Sequence, residues 1–320
     1  MTYALAITGP TASGKTALSI DLARDMEMEI ISCDSMQIYR GMDIGTAKAT
    51  VTERAAVPHH LIDFLSPLEC YSAEAYRTDA MAAVKDITSR GKTPLFVGGT
   101  GLYIDTLMRA AAVGSPPSDL KLREELLSKY TADKLYERLE LVDPESAAAT
   151  HKNNVKRVVR ALEIYELTGK TKSYFDALSR TASPDIEIVM ITLDFHNREN
   201  LYRRVDKRVD QMLAEGLLAE VEGLWGQGML KEGTTAASAI GYKEIIEYLE
   251  KRTTLPLAIE EIKLSSRRYA KRQLTWFRHE RDAVRVFVDS EGGQIRPYGE
   301  ILAEVSLCAK ELAEKLKING

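Results

Sequence analysis

At 320 residues the chain is long enough for one large domain with an insertion, or for two domains, each with its own core. A hydrophobic share of 45% and a charged share of 28% are those of a globular protein, and no apolar run reaches the length of a membrane span. The 43 Lys and Arg against 47 Asp and Glu give a net charge of −4, so a polyanionic partner would have to be held by clustered basic residues.

Three cysteines, Cys33, Cys70 and Cys308, lack C-x-x-C spacing, which argues against a disulfide framework or zinc site and for a reducing cytosol. The first residues lack the basic-then-apolar pattern of a secretory leader. A cytoplasmic protein with no membrane partner is expected.

The chain opens on an apolar run over 3–7, read as a strand, and a helix-like stretch covers 17–26. Between them Gly9-Pro10-Thr11-Ala12-Ser13-Gly14-Lys15-Thr16 fits the phosphate-binding loop pattern G-x-x-x-x-G-K-[ST]. Glycines let backbone N–H groups curl around phosphate oxygens, Lys15 adds a point charge, and Thr16 can hold Mg²⁺. The loop predicts a di- or triphosphate ligand.

A second strand over 29–33 delivers Asp34 to its carboxyl end, where a carboxylate can hold Mg²⁺, act as a general base, or cap a turn. A helix over 72–89 stops at Arg90-Gly91, and a strand over 94–97 runs into Gly98-Gly99-Thr100-Gly101. An ATP-using enzyme would carry a second acid there; this chain has glycines and the Thr100 hydroxyl instead. Ligands in such a sheet sit beyond the carboxyl ends of the strands, where the loop, Asp34 and Thr100 converge.

From 119 to 176 the periodicity is only helical, with Thr168-Gly169 ending one helix. Ser115-Pro116-Pro117-Ser118 and Ser183-Pro184 flank the stretch as linkers. A strand over 186–193, long helices, a strand over 284–288 and a helix over 298–317 complete the chain. The expected fold is α/β: a P-loop NTPase-like parallel sheet flanked by helices, with an inserted all-helical domain. Residues 1–114 form the first part of the core, 115–184 the insertion, and 185–320 the second, mostly helical part.

Basic residues cluster on helices. In the run from Lys152, the residues Val155, Val158, Val159 and Leu162 make a buried stripe, leaving Lys156 and Arg160 facing outward. A helix over 256–278 buries Ile259, Ile262, Ala270, Leu274 and Phe277 and carries Arg267, Arg268, Lys271, Arg272 and Arg278 on its other face. Two such faces favour RNA held by electrostatics over a merely solvated surface. Arg204 and Arg208, one turn apart, can reach a phosphate together or pair with Asp206 and Asp210; spacing leaves both open. The five histidines show no metal-ligand spacing, and Trp276-Phe277 is read as core packing rather than base stacking.

The chain resembles the bacterial tRNA dimethylallyltransferases. The matching segments include residues 9–16, Asp34-Ser35-Met36-Gln37-Ile38-Tyr39, Asp43-Ile44-Gly45-Thr46-Ala47-Lys48, His59-His60-Leu61-Ile62-Asp63 and Gly98-Gly99-Thr100-Gly101-Leu102-Tyr103. Pro116-Pro117-Ser118-Asp119, residues 157–163, Ala239-Ile240-Gly241-Tyr242-Lys243 and Ala270-Lys271-Arg272-Gln273 continue the match in order along nearly the whole chain.

The resemblance implies that loop residues 9–16 grip the diphosphate of dimethylallyl diphosphate, with no nucleoside triphosphate required. It implies transfer of the prenyl group to N6 of the adenosine next to the anticodon, at tRNA position 37. By the same likeness Asp34 is the general base, and Lys15, Thr100 and Arg208 serve the diphosphate leaving group. Thr16 holds Mg²⁺. The resemblance further implies that Asp34, Ser35, Met36, Gln37, Thr100, Arg123, Lys156, Arg157, Val158, Val159 and Arg160 contact the tRNA. The insertion corresponds to the family's mobile domain that closes on the anticodon stem-loop. A monomer is expected, and no structural metal. Rival readings are a small-molecule P-loop kinase, a prenyltransferase of free adenine nucleotides, and a non-catalytic nucleotide-switched RNA-binding protein.

Overall fold

The computed structural model describes residues 2–108, 116–181, 185–280 and 282–318. The linker residues Ser115, Ser183 and Pro184 lie outside them. The chain divides into two compact units, Met1–Thr106 with Ile186–Gly320, and Leu107–Asp185.

The larger unit begins with β1 (Thr2–Thr8), α1 (Lys15–Asp25), β2 (Met28–Ser32), α2 (Val51–Ala56), β3 (His59–His60), α3 (Ala73–Ser89), β4 (Thr93–Gly98) and most of α4 (Gly101–Met108). The smaller unit contains α5 (Leu120–Lys129), α6 (Ala132–Val142), α7 (Pro144–Ala148), α8 (Val155–Thr168) and α9 (Lys172–Thr181). The larger resumes with β5 (Ile186–Asp194), α10 (Arg198–Ala214), α11 (Leu217–Gly226), α12 (Tyr242–Leu249), α13 (Leu255–His279), β6 (Val284–Phe287) and α14 (Tyr298–Ile318).

The described strands form one parallel sheet in the order β3-β2-β4-β1-β5-β6. Parallel strands covered on both faces read as continuous apolar runs, and Ala4, Leu5, Ala6 and Ile7 of β1 are all buried. The crossovers from β1 to β2 and from β2 to β4 run in opposite directions, so right-handed connections place α1 and α3 on opposite faces. Register aligns Thr8 with Gly98 and Thr192, so the carboxyl ends of β1 and β4 finish level while β5 runs two residues further. That edge presents the candidate site.

At the opposite end Glu29, buried at the start of β2, is ringed by Arg90, Lys92 and His60. The Arg90 guanidinium, foremost, pulls its carboxyl down to about 2. No local pattern announces this cluster, because His60 and Arg90 lie 31 and 61 positions from Glu29.

In the smaller unit no described helix exceeds 14 residues, a length at which a free helix is at best marginal in water, so tertiary burial must hold them. Leu126, Leu135, Leu139, Val158, Val159 and Leu162 supply that core, each large apolar side chain contributing about 1.5–3 kcal/mol on burial. Asp119, Thr131, Asp143 and Asn154 cap helices, and Gly169 ends α8 at φ 68°.

This packing corrects part of the expected RNA-contact run. Val158 and Val159 are 1% and 2% exposed, and their side chains belong to the core. Arg160 is not free either: it donates to Pro116 O and Pro117 O at 2.8 Å and to Glu163 at 2.5 Å. Arg123 lies 3.0 Å from the same buried Glu163 carboxylate and donates to Ser118 Oγ. Desolvation of Glu163 is outweighed by these guanidiniums and the Asp119 N–H, so its carboxyl titrates below the ordinary range. Lys156 and Arg157 remain exposed.

Candidate active site

The phosphate loop takes its shape from three left-handed residues, Gly9 (φ 137°), Ala12 (φ 62°) and Gly14 (φ 97°). A Cβ at Gly9 would lie 2.7 Å from Leu193 O, so β5 forbids any side chain there. Gly14 is the N-cap of α1 and provides no side-chain cap, leaving first-turn N–H groups open to an anion. Lys15 Nζ arches back over the loop to Pro10 O at 2.7 Å. Desolvation, reinforced by Arg208 and opposed by Asp34, lowers its pKa to about 7.

Asp34 leaves the end of β2 and accepts the Met36 N–H on Oδ1 at 2.9 Å. The turn-capping role weighed for it is therefore real, and the same residue lines the central cavity. Cys33 O accepts the Thr100 N–H at 3.0 Å, and Thr100 Oγ1 accepts the Ser35 N–H at 3.1 Å. A Cβ on Gly98 would fall 2.3 Å from Cys33 O, so the turns after β2 and β4 interlock only because residue 98 is glycine.

The α10 arginines settle the choice that spacing left open. Asp206 pairs with Arg267 at 2.7 Å and Asp210 with Lys263 at 2.7 Å. Arg204 instead donates from Nε to Ala12 O at 2.8 Å. Arg208 lines the cavity, where desolvation lowers its pKa against the opposing charges of Asp34 and Glu215.

The cavity holds about 340 Å³. Lys15, Thr16, Asp34 and Arg208 line its polar side, while Met36, Val209, Met212, Ile240 and Ile262 give it an apolar wall. Cation, carboxylate and apolar surface thus share one space. Ser35 and Gln37 also line it, and Gln37 Nε2 donates to Thr46 O and Ala47 O at 3.2 Å.

Three contributions escaped the sequence. Gln273 of α13 accepts the Thr11 N–H and donates to Gly99 O; its signal was a polar residue within an apolar stripe. Glu220 of α11 accepts the backbone N–H groups of Asp43, Ile44 and Gly45 and the Tyr242 hydroxyl, holding a cavity-lining loop. Tyr269 lies beside Thr100 and Gln273. The basic face of α13 is also smaller than expected, since Arg267 pairs with Asp206 and Arg278 with Asp194. Arg268, Lys271 and Arg272 stay exposed. Phe277 is buried as core, and Trp276 packs so closely on Gly101 that a Cβ there would lie 2.4 Å from its ring. Among the described residues no three His, Cys, Asp or Glu side chains are grouped to hold a metal.

Two family models match the chain: IPP transferase over residues 37–280 and isopentenyl transferase over residues 2–63. The chain belongs to the IPP transferase family. Both models together take in the phosphate loop, Asp34, Thr100 and Arg208. Among curated relatives, the tRNA dimethylallyltransferase of Shouchella clausii (strain KSM-K16) is 49% identical over 283 residues, covering 88% of this chain and 89% of the relative. That of Geobacillus kaustophilus (strain HTA426) is 43% identical over 318 residues, covering 98% and 97%. The crystal structure of the full-length tRNA isopentenylpyrophosphate transferase of Bacillus halodurans superposes with a TM-score of 0.73 at 40% identity, covering 99% of both chains. A eukaryotic dimethylallyltransferase solved acting on tRNA reaches 0.76 at 32% identity, covering 90% of this chain and 74% of that one.

Proposed function

We propose that this protein transfers the dimethylallyl group of dimethylallyl diphosphate to N6 of the adenosine at tRNA position 37, releasing diphosphate. One observation carries the reading: a single cavity joins the Lys15 loop and Arg208 to the Asp34 carboxylate and an apolar wall. An allylic diphosphate needs cations at one end and apolar surface at the other, and its acceptor needs a base.

In this mechanism the N6–C1 bond forms as the C1–O bond breaks. The electron pair leaves with the diphosphate, whose growing charge is met by Lys15, the α1 N-terminus and Arg208. Thr100, fixed by its backbone bond to Cys33, steadies the leaving group from the turn after β4. The N6 proton passes to Asp34 as the amine becomes acidic during attack, a contribution of ~10²–10⁴-fold. The adenine must leave its stack to reach the cavity.

Thr16 offers a hard oxygen donor in the cavity, which suits Mg²⁺ held mainly by substrate phosphates. Bound there, the ion would neutralise charge on the departing diphosphate. The anticodon stem-loop is the RNA partner, met by residues 34–37 and Thr100 in the larger unit and by exposed Lys156 and Arg157 in the smaller. The reading is of a cytoplasmic monomer, with every residue lining the cavity drawn from the larger unit.

Incubation with labelled dimethylallyl diphosphate, Mg²⁺ and unmodified tRNA, followed by digestion to nucleosides, tests this. Label in N6-dimethylallyladenosine is expected. ATP turnover without labelled nucleoside overturns it.

A further inference from the structure

Gln273 shares the buried face of α13 with Ala270, Leu274 and Phe277, and is 6% exposed. A buried amide is stable only when both its ends are satisfied. Here Oε1 accepts the Thr11 N–H at 2.8 Å and Nε2 donates to the Gly99 carbonyl at 2.9 Å. Thr11 belongs to the phosphate loop, and Gly99 to the turn that carries Thr100. A Cβ on Gly99 would lie 2.1 Å from Nε2, so turn and amide are fitted to one another.

We propose that Gln273 is a positioning residue that sets the distance between the two walls of the diphosphate cradle, the loop of residues 9–16 and the Thr100 turn. The proposal rests on the diphosphate reading of that loop. Gln273 acts through Thr11 and Gly99 and has no need to touch the ligand. Without it one part-buried N–H and one buried carbonyl lose their partners, and the loop relaxes away from the spacing that lets both walls face one leaving group. Misplacement by about 1 Å is enough to slow a reaction at such a site about 100-fold.

The chemistry of the amide makes the role testable apart from bulk. In Gln273→Glu the carboxylate can still accept from Thr11 but sets an oxygen against the Gly99 carbonyl. Protonation restores a donor. The defect of this variant relative to the parent must therefore shrink as pH falls through the titration of the introduced carboxyl.

Calorimetric titration with inorganic diphosphate and Mg²⁺ reads the cradle without requiring prenyl transfer. The expected result is a dissociation constant raised about 10- to 100-fold in Gln273→Glu and Gln273→Met, with recovery of the first at low pH. Gly99→Ala alone should weaken binding, and should do so far less in a Gln273→Ala background, where the clash is gone. No diphosphate binding by the parent overturns the reading beneath the proposal, and the proposal with it. A parent that binds while both Gln273 variants match it overturns the proposal alone. So does a Gln273→Glu defect that is the same at every pH.

Discussion

Arg204 donates from Nε to the carbonyl oxygen of Ala12, 2.8 Å away, which fastens α10 to the phosphate loop at a residue held in the left-handed region. The same helix then brings Arg208 into the cavity one turn later. Positioning of the loop and supply of the second cation are thus two functions of one helix.

Arg204→Ala should lose diphosphate affinity before it loses fold. A hydrogen bond from a charged donor contributes roughly 1.5–3 kcal/mol, so the dissociation constant for diphosphate should rise about 10- to 100-fold. Calorimetry with inorganic diphosphate and Mg²⁺ measures this; unchanged affinity would remove Arg204 from the site.

Asp34→Asn keeps an oxygen to accept the Met36 N–H and so should leave the turn intact. Turnover should nonetheless fall by ~10²–10⁴, while tRNA binding holds. Single-turnover kinetics beside a filter-binding assay separates the two, and a kcat equal to the parent's contradicts the base assignment.

Lys15 titrates near 7 in the free protein, depressed chiefly by desolvation. Diphosphate prefers the charged amine, so affinity should be greatest below about pH 7 and decline as pH rises through that value. Binding at pH 8 should take up a proton, seen as a buffer-dependent enthalpy in calorimetry. Lys15→Arg should abolish that uptake. Linkage also fixes the sign for stability: between about pH 7 and the ordinary lysine value of 10.5 the unfolded chain binds the extra proton, so this group makes the free protein more stable as pH rises.

The smaller unit separates two kinds of basic residue. Charge reversal at exposed Lys156 and Arg157 should weaken tRNA binding and flatten its salt dependence, leaving thermal stability unchanged. Arg160→Ala should destabilise by roughly 1–3 kcal/mol, because Glu163, 0% exposed, loses a charged partner. Denaturant melts and salt titrations of both variants check the contrast. An Arg160→Ala protein as stable as the parent would refute it.

The phosphate loop, Asp34 and the Thr100 turn were legible because each is a local event. A strand ends, glycines permit left-handed backbone, and a hydroxyl or carboxylate falls beside the next helix, all within a few residues. The helical stretch of the smaller unit was legible for the same reason, its period being written in Val158, Val159 and Leu162. That periodicity also implied that the two valines could not face RNA, against the run suggested by resemblance.

Charge partners were a different matter. Arg267 meets Asp206 across 61 positions, Arg278 meets Asp194 across 84, and Gln273 reaches Thr11 across 262. A helical pattern states which face is polar but not what lies opposite, since an ion pair depends on how α10 and α13 pack together. Local chemistry therefore named the tools of this protein, whereas the packing of distant helices chose which cations stay free for an anion and which are already held by a carboxylate.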